Sequence, residues 1–224
     1  MELTLTNLPR RIELDDVLDS GLISMMTQSS VNPEDFYLTG YETICFKRTR
    51  EFALESVLAS VVPFEKDMLI VSNNSDHARL KMLCKYHDVS NRTIEQPHTT
   101  EQWEEFVSIV ANYKSYSHIL FSCDVHSEYE MDQLKKIATL IKDLKIGLIV
   151  HCRRQAMELN KVRELNIDYM ICNGSGSEIS SVVLASRRKL VQIEGISRSY
   201  DMDLYNYWQT SLFGRKSFIE PMAI

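Results

Sequence analysis

From Tyr41 onward, short apolar runs alternate with longer stretches of helical period, and no other pattern in this chain constrains its fold as tightly. The runs are Thr43–Phe46, Met68–Ser72, Arg92–Glu95, His118–Cys123, Gly147–His151, Asp168–Cys172 and Ser181–Ala185. The first six are separated by helical stretches at Glu51–Val61, Asp76–His87, Thr100–Tyr113, Glu128–Leu144 and Arg154–Leu165. A succession of this kind predicts parallel strands joined by crossover helices. In the fourth stretch Met131, Leu134, Ile137, Ala138, Ile141 and Leu144 recur every three or four residues, which places one apolar stripe against a sheet. Thr100, followed by Trp103 and Glu104, marks a helix start.

The last run breaks the pattern. Only the eight residues 173–180 precede Ser181, too few for the crossover that a parallel neighbour needs, so this strand is expected to run antiparallel. Helices are expected over Arg187–Glu194 and Met202–Thr210. The predicted fold class is therefore α/β: a three-layer, doubly wound arrangement on a seven-stranded, mostly parallel sheet with one antiparallel strand. Residues 1–40 read as an N-terminal helical segment, clearest at Glu13–Leu18, and residues 41–224 as the main domain.

Charge and cysteine usage narrow the function classes. Acidic residues outnumber basic ones 31 to 25, giving a net charge of −6, which argues against a general nucleic-acid or anionic-membrane partner. The first residues lack a basic region followed by an apolar run, and stretches such as Ile146–Val150 are too short to span a bilayer. A cytoplasmic protein is expected. The five cysteines, Cys45, Cys84, Cys123, Cys152 and Cys172, form no C-x-x-C pair, so reduced thiols are expected in place of a disulfide framework or zinc ribbon.

Several segments resemble a known family. Phe52–Pro63 is similar to the first large-domain helix of the class V pyridoxal-phosphate-dependent aminotransferases. Met68–Arg79 follows their strand, Asn-Gly and Gly-x-Arg element with both glycines replaced. Cys123 and Asp124 stand where the family has Cys-Glu at a strand end, and Asp168–Tyr169 opens the strand that leads to the catalytic lysine. Arg198-Ser-Tyr-Asp-Met-Asp-Leu-Tyr-Asn-Tyr-Trp208 resembles a stretch of the 2-aminoethylphosphonate–pyruvate transaminase branch. The resemblance runs from about Tyr41 to Gly214 and implies the aminotransferase large-domain fold, including an antiparallel strand after the lysine strand.

The resemblance stops at the chemistry. Transamination on pyridoxal phosphate needs a lysine amine, a carboxylate against the pyridine nitrogen and a phosphate cup of backbone amides. No lysine lies between Lys161 and Lys189, and the loop reads Ile171-Cys-Asn-Gly-Ser-Gly-Ser-Glu178. The ring-nitrogen aspartate falls on His151, and the glycine-rich phosphate loop falls on Arg48-Thr49-Arg50-Glu51. The family's small C-terminal domain has no counterpart before Ile224, so the expectation is a degenerate, truncated relative. No catalytic residue and no cofactor are expected, with pyridoxal phosphate implied by the family resemblance only.

Ligands of doubly wound sheets bind beyond the carboxyl ends of the strands. The cleft candidates there are Arg48, Thr49, Arg50, Asp124, His126, His151, Arg153, Asn173 and Ser175. Arg48, Arg50 and Arg153 can be read as a clamp for a small anionic ligand such as a phosphate or phosphonate. The competing reading pairs them with Glu51, Asp124 and Glu178 to fill a redundant cavity, and it is favoured because buried polar groups need partners. A zinc site from Cys123, Asp124, His126, Cys152 and His151 lacks ligand spacing, and no activated thiol is identifiable for Cys–His catalysis, so no metal is expected.

The combined reading is a fold kept without its reaction, serving as a non-catalytic interaction or accessory protein, with a protein partner. The alternative is a 2-aminoethylphosphonate–pyruvate-type transaminase, or another small-molecule enzyme using the remodelled cleft. Because the family resembles obligate two-fold dimers, a homodimer is expected. Its contact is sought at Tyr205, Trp208, Leu212, Phe213, Phe218, Ile219 and Met222.

Overall fold

A computed structural model describes residues 38–112, 115–153, 156–174 and 181–217. The expected N-terminal helical segment and Ser175 therefore lie outside the described residues. So do Phe218, Ile219 and Met222, together with the side chains of Leu212 and Phe213.

Seven strands form one sheet: β1 Tyr41–Phe46, β2 Asp67–Ser72, β3 Asn91–Glu95, β4 Tyr116–Cys123, β5 Gly147–Cys152, β6 Tyr169–Asn173 and β7 Ser181–Ser186. Their spatial order is β1-β7-β6-β5-β4-β2-β3. Strands β2 to β6 pair in parallel. Strand β7 lies antiparallel to both β6 and β1, as the short connection before it requires. Every expected strand is present, with ends moved by one or two residues.

The helices are α1 Arg50–Val61, α2 Asn74–Tyr86, α3 Thr100–Asn112, α4 Glu128–Ile141, α5 Leu159–Glu164, α6 Arg187–Gln192 and α7 Leu204–Ser217. Helices α1, α2, α6 and α7 cover one face of the sheet and share a core with Leu120, Ile149, Ile171 and Val183. Helices α3, α4 and α5 cover the other and pack on the alternate residues, among them Phe121, Val150, Met170 and Val182. The alternation of adjacent strand residues between the two cores follows from the period-two pleat.

Local chemistry sets the helix ends. Helix α3 begins at Thr100 as expected, with Thr99 as its cap: Thr99 Oγ1 accepts from Gln102 N at 3.3 Å while Gln102 Oε1 accepts from Thr99 N at 3.2 Å. The fifth helix is short because Ala156–Glu158 runs non-helically and carries Met157 into the core. Helix α7 begins at Leu204 because Asp203 Oδ1 accepts from Tyr205 N at 2.9 Å and from Asn206 N at 3.4 Å. None of the described helices is long and apolar enough to cross a membrane.

Trp208 was sought at a dimer contact. It is 4% exposed and belongs to the α1–α7 side of the core. Tyr207, its neighbour, makes an edge contact with Phe46 at 4.9 Å between ring centres. The helical spacing that brings these rings together serves the chain's own core.

Candidate functional site

The carboxyl ends of the parallel strands carry a row of side chains on the α1/α2 face. Ser122 stands directly beside His151 on neighbouring strands, and the β2–β4 register places Ser72 on the other side of Ser122. All three are fully buried. Ser122 Oγ donates to Asp76 Oδ2 at 2.9 Å and lies 3.1 Å from His151 Nδ1. A carboxylate only accepts, so the serine proton goes to Asp76 and Nδ1–H of His151 donates to the serine oxygen. That leaves Nε2 as a bare, buried acceptor, and it has no hydrogen-bond partner among the described residues.

The network continues through the first turns of α1 and α2. Arg79 reaches Asp76 Oδ1 at 3.5 Å and Glu51 Oε1 at 2.7 Å, and Glu51 also faces Arg50 at 3.7 Å. The Arg50 guanidinium crosses the sheet edge to donate through Nη1 to the carbonyls of Cys152, at 3.2 Å, and Arg153. Burial first, and then the Arg50 and Arg79 cations, push the His151 pKa down to about 3. At neutral pH this imidazole is uncharged.

Arg153 turns the other way. Its Nη2 is 2.7 Å from Glu130 Oε2, on the first turn of α4. Glu130 is the fourth residue of a Ser127-x-x-Glu130 pattern, and it also accepts from Asp124 N. Glu130, which was not among the expected carboxylate partners, takes Arg153, while Asp124 Oδ1 accepts from His126 N at 3.1 Å within its own turn. Arg48 is exposed and lies over the Phe52 ring at 4.9 Å. Thr49 Oγ1 accepts from Phe52 N at 3.4 Å, capping α1. Asn173 and His126 are exposed.

Of the sequence candidates, then, Arg50 and His151 meet in one network, while Arg153 and Asp124 meet at Glu130 in another. Asp76, Arg79 and Ser122 complete the first network and were missed by sequence reasoning. Each arises where a strand end meets the start of the next helix, and only the strand order brings β2, β4 and β5 together. The zinc reading fails on the pleat: Cys123 and Cys152 pack in the core of the opposite face from His151. Among the described residues no three His, Cys, Asp or Glu groups gather to hold a metal ion.

No protein-family model matches the chain. It is 23% identical over 208 residues to a 2-aminoethylphosphonate–pyruvate transaminase of Bacteroides fragilis, covering 89% of this chain and 54% of that one. A transaminase of the same description from Klebsiella pneumoniae is 27% identical over 214 residues, covering 87% and 54%. The chain is class V aminotransferase-like. The aminotransferase-like chain spans about half the length of the curated relatives it matches. Among solved structures, an aspartate aminotransferase of Thermus thermophilus superposes with a TM-score of 0.62 at 14% identity, covering 88% of this chain and 56% of that one. The ureidoglycine–glyoxylate aminotransferase of Bacillus subtilis gives 0.56 at 14%, covering 90% and 60%. Both share the fold.

Pyridoxal phosphate, which that fold family implies, does not fit the residues present here. Lys189, the first lysine after the loop, is bound to Asp168 at 3.6 Å, at the amino end of the sheet and away from the cleft. A neutral, buried His151 cannot hold a pyridinium proton by charge. Arg50, whose backbone should line the phosphate cup, instead sends its side chain across to β5.

Proposed function

We propose that this chain keeps the aminotransferase large-domain fold without pyridoxal-phosphate transamination, and serves as a non-catalytic interaction or accessory protein of the cytoplasm. The observation that carries the reading is the Arg50 side chain lying against the Cys152 and Arg153 carbonyls beside a neutral His151. Arg50 Nη1 is taken up by these carbonyls and His151 Nδ1 by Ser122, which leaves neither group poised as a partner for a cofactor ring or its phosphate. Free thiols suit a reducing compartment. The alternative, transamination of 2-aminoethylphosphonate with pyruvate, draws support from the names of the relatives and requires an amine that the described cleft lacks.

The decisive experiment is incubation with pyridoxal phosphate, borohydride reduction and peptide mass spectrometry. No lysine is expected to carry a pyridoxyl group above the level of a denatured control. Stoichiometric labelling of Lys47, at the exit of β1, would overturn the proposal and make the chain a relocated-amine enzyme. Self-association as a homodimer belongs to the same reading, supported by the resemblance to two-fold dimers. Sedimentation equilibrium of the full chain tests it: a single-chain mass unchanged on dilution removes the dimer.

A further inference from the structure

Four of the five cysteines lie in one transverse row on the α3/α4 face of the sheet. Cys123 of β4 is the direct register partner of Cys152 of β5. His151 pairs with Ile171, which sets Cys172 beside Cys152, and Val182 then separates Cys172 from Cys45. Cys123, Cys152 and Cys172 are fully buried, whereas Cys45 is partly accessible. Cys123 and Cys152 are the closest-knit of these, directly opposed on adjacent strands. The neighbouring Cys152 thiol and burial raise the Cys123 thiol pKa well above its ordinary value.

We infer that Cys123 and Cys152 form an oxidisable dithiol that hydrogen peroxide closes to a disulfide across β4 and β5. Adjacent strands lie about 4.8 Å apart, inside the roughly 4.4–6.8 Å range of Cα separations that a disulfide bridges. The two strand ends are already tied, since Arg153 N–H donates to Cys123 O at 2.8 Å, so closure needs little backbone movement. Both cysteines are fully buried, each one residue from the half-buried edge formed by Asp124 and Arg153, so the oxidant enters where this edge opens. One thiol gives up its proton as its sulfur attacks a peroxide oxygen; that proton leaves with the other oxygen as water, and the sulfur becomes a sulfenic acid. The second sulfur displaces the sulfenic oxygen as a second water. In total two thiols lose two electrons and two protons, and one peroxide becomes two waters. The bond would lock the edge from which Arg153 reaches Glu130.

The test is titration of the full chain with hydrogen peroxide, then denaturation, alkylation and non-reducing tryptic mapping. The expected product is peptide 115–135 linked to peptide 146–153, lighter by two hydrogens and released by a thiol reductant. The Cys172→Ala variant is expected to retain the link, and Cys123→Ala to lose it. Cys45 serves as internal control for oxidant exposure. If Cys45 is consumed while Cys123 and Cys152 are still recovered as separately alkylated thiols, the inference is wrong. It is equally wrong if the link forms to Cys172 instead, or if both thiols over-oxidise without linking.

Discussion

The ring of His118 rests on the bare backbone of Gly147: a Cβ placed on that glycine would lie 2.4 Å from His118 Cδ2. The two residues are register partners on β4 and β5, and the ring also faces Tyr169 at 6.3 Å between centres. Gly147→Ala is therefore expected to cost about 1–3 kcal/mol in urea unfolding, as overpacking in a closed site does. Replacing His118 by Ala in the same chain should recover part of that loss, because the two changes share one volume.

Ser122 is expected to matter more than its size suggests. Its hydroxyl links Asp76 to His151, so Ser122→Ala leaves a half-buried carboxylate oxygen and a buried ring N–H without it. The expected cost is about 1–3 kcal/mol, measured by chemical denaturation at neutral pH. In an Asp76→Asn background the same substitution should cost measurably less, since the pair is already weakened.

Acid should find the histidines before most carboxylates. Burial pushes both His118 and His151 down to about 3 from an ordinary 6.5. Both are depressed on folding, so the unfolded chain binds protons first as pH falls. The stability they contribute is whole above about 6.5 and is lost progressively toward 3. The His151→Gln variant should show a shallower fall of stability than wild type between pH 6.5 and 5, where Asp and Glu titrate little. Equal slopes in that interval would show that His151 is not held neutral.

Trp208 anchors α7 within the chain's own core, where it makes an edge contact with Tyr205 at 5.7 Å. Trp208→Ala is expected to cost about 3–5 kcal/mol. The loss should be the same at every protein concentration, read from the urea midpoint. A midpoint difference that grows with concentration would mean that the indole also serves an association surface.

The sheet was legible because alternation and connection length act locally: eight residues before Ser181 cannot form a crossover, whatever the rest of the chain does. Site geometry was legible only in part. His151 and Arg50 could be placed at strand ends, but Asp76 and Ser122 join them through the order β5-β4-β2, which no short window of sequence contains. The Arg153 partner shows the same limit. Ser127-x-x-Glu130 reads as a capping box, and the serine does cap, accepting from Glu130 N at 3.3 Å. The glutamate is drawn instead to a cation arriving from another strand.

Among the described residues the one ladder of strand β1 is with β7, whose residues Ser181–Ser186 come almost a whole domain later. During synthesis β1 therefore has to wait, and α1 that follows it waits too, since their shared core includes Val183 and Ala185 of β7. Non-local pairing of this kind slows folding and lengthens the time an apolar strand stands open to other chains. The strand that completes β1 thus emerges from the ribosome long after it, and the nascent chain depends on whatever shields Ile44 and Phe46 until β7 arrives.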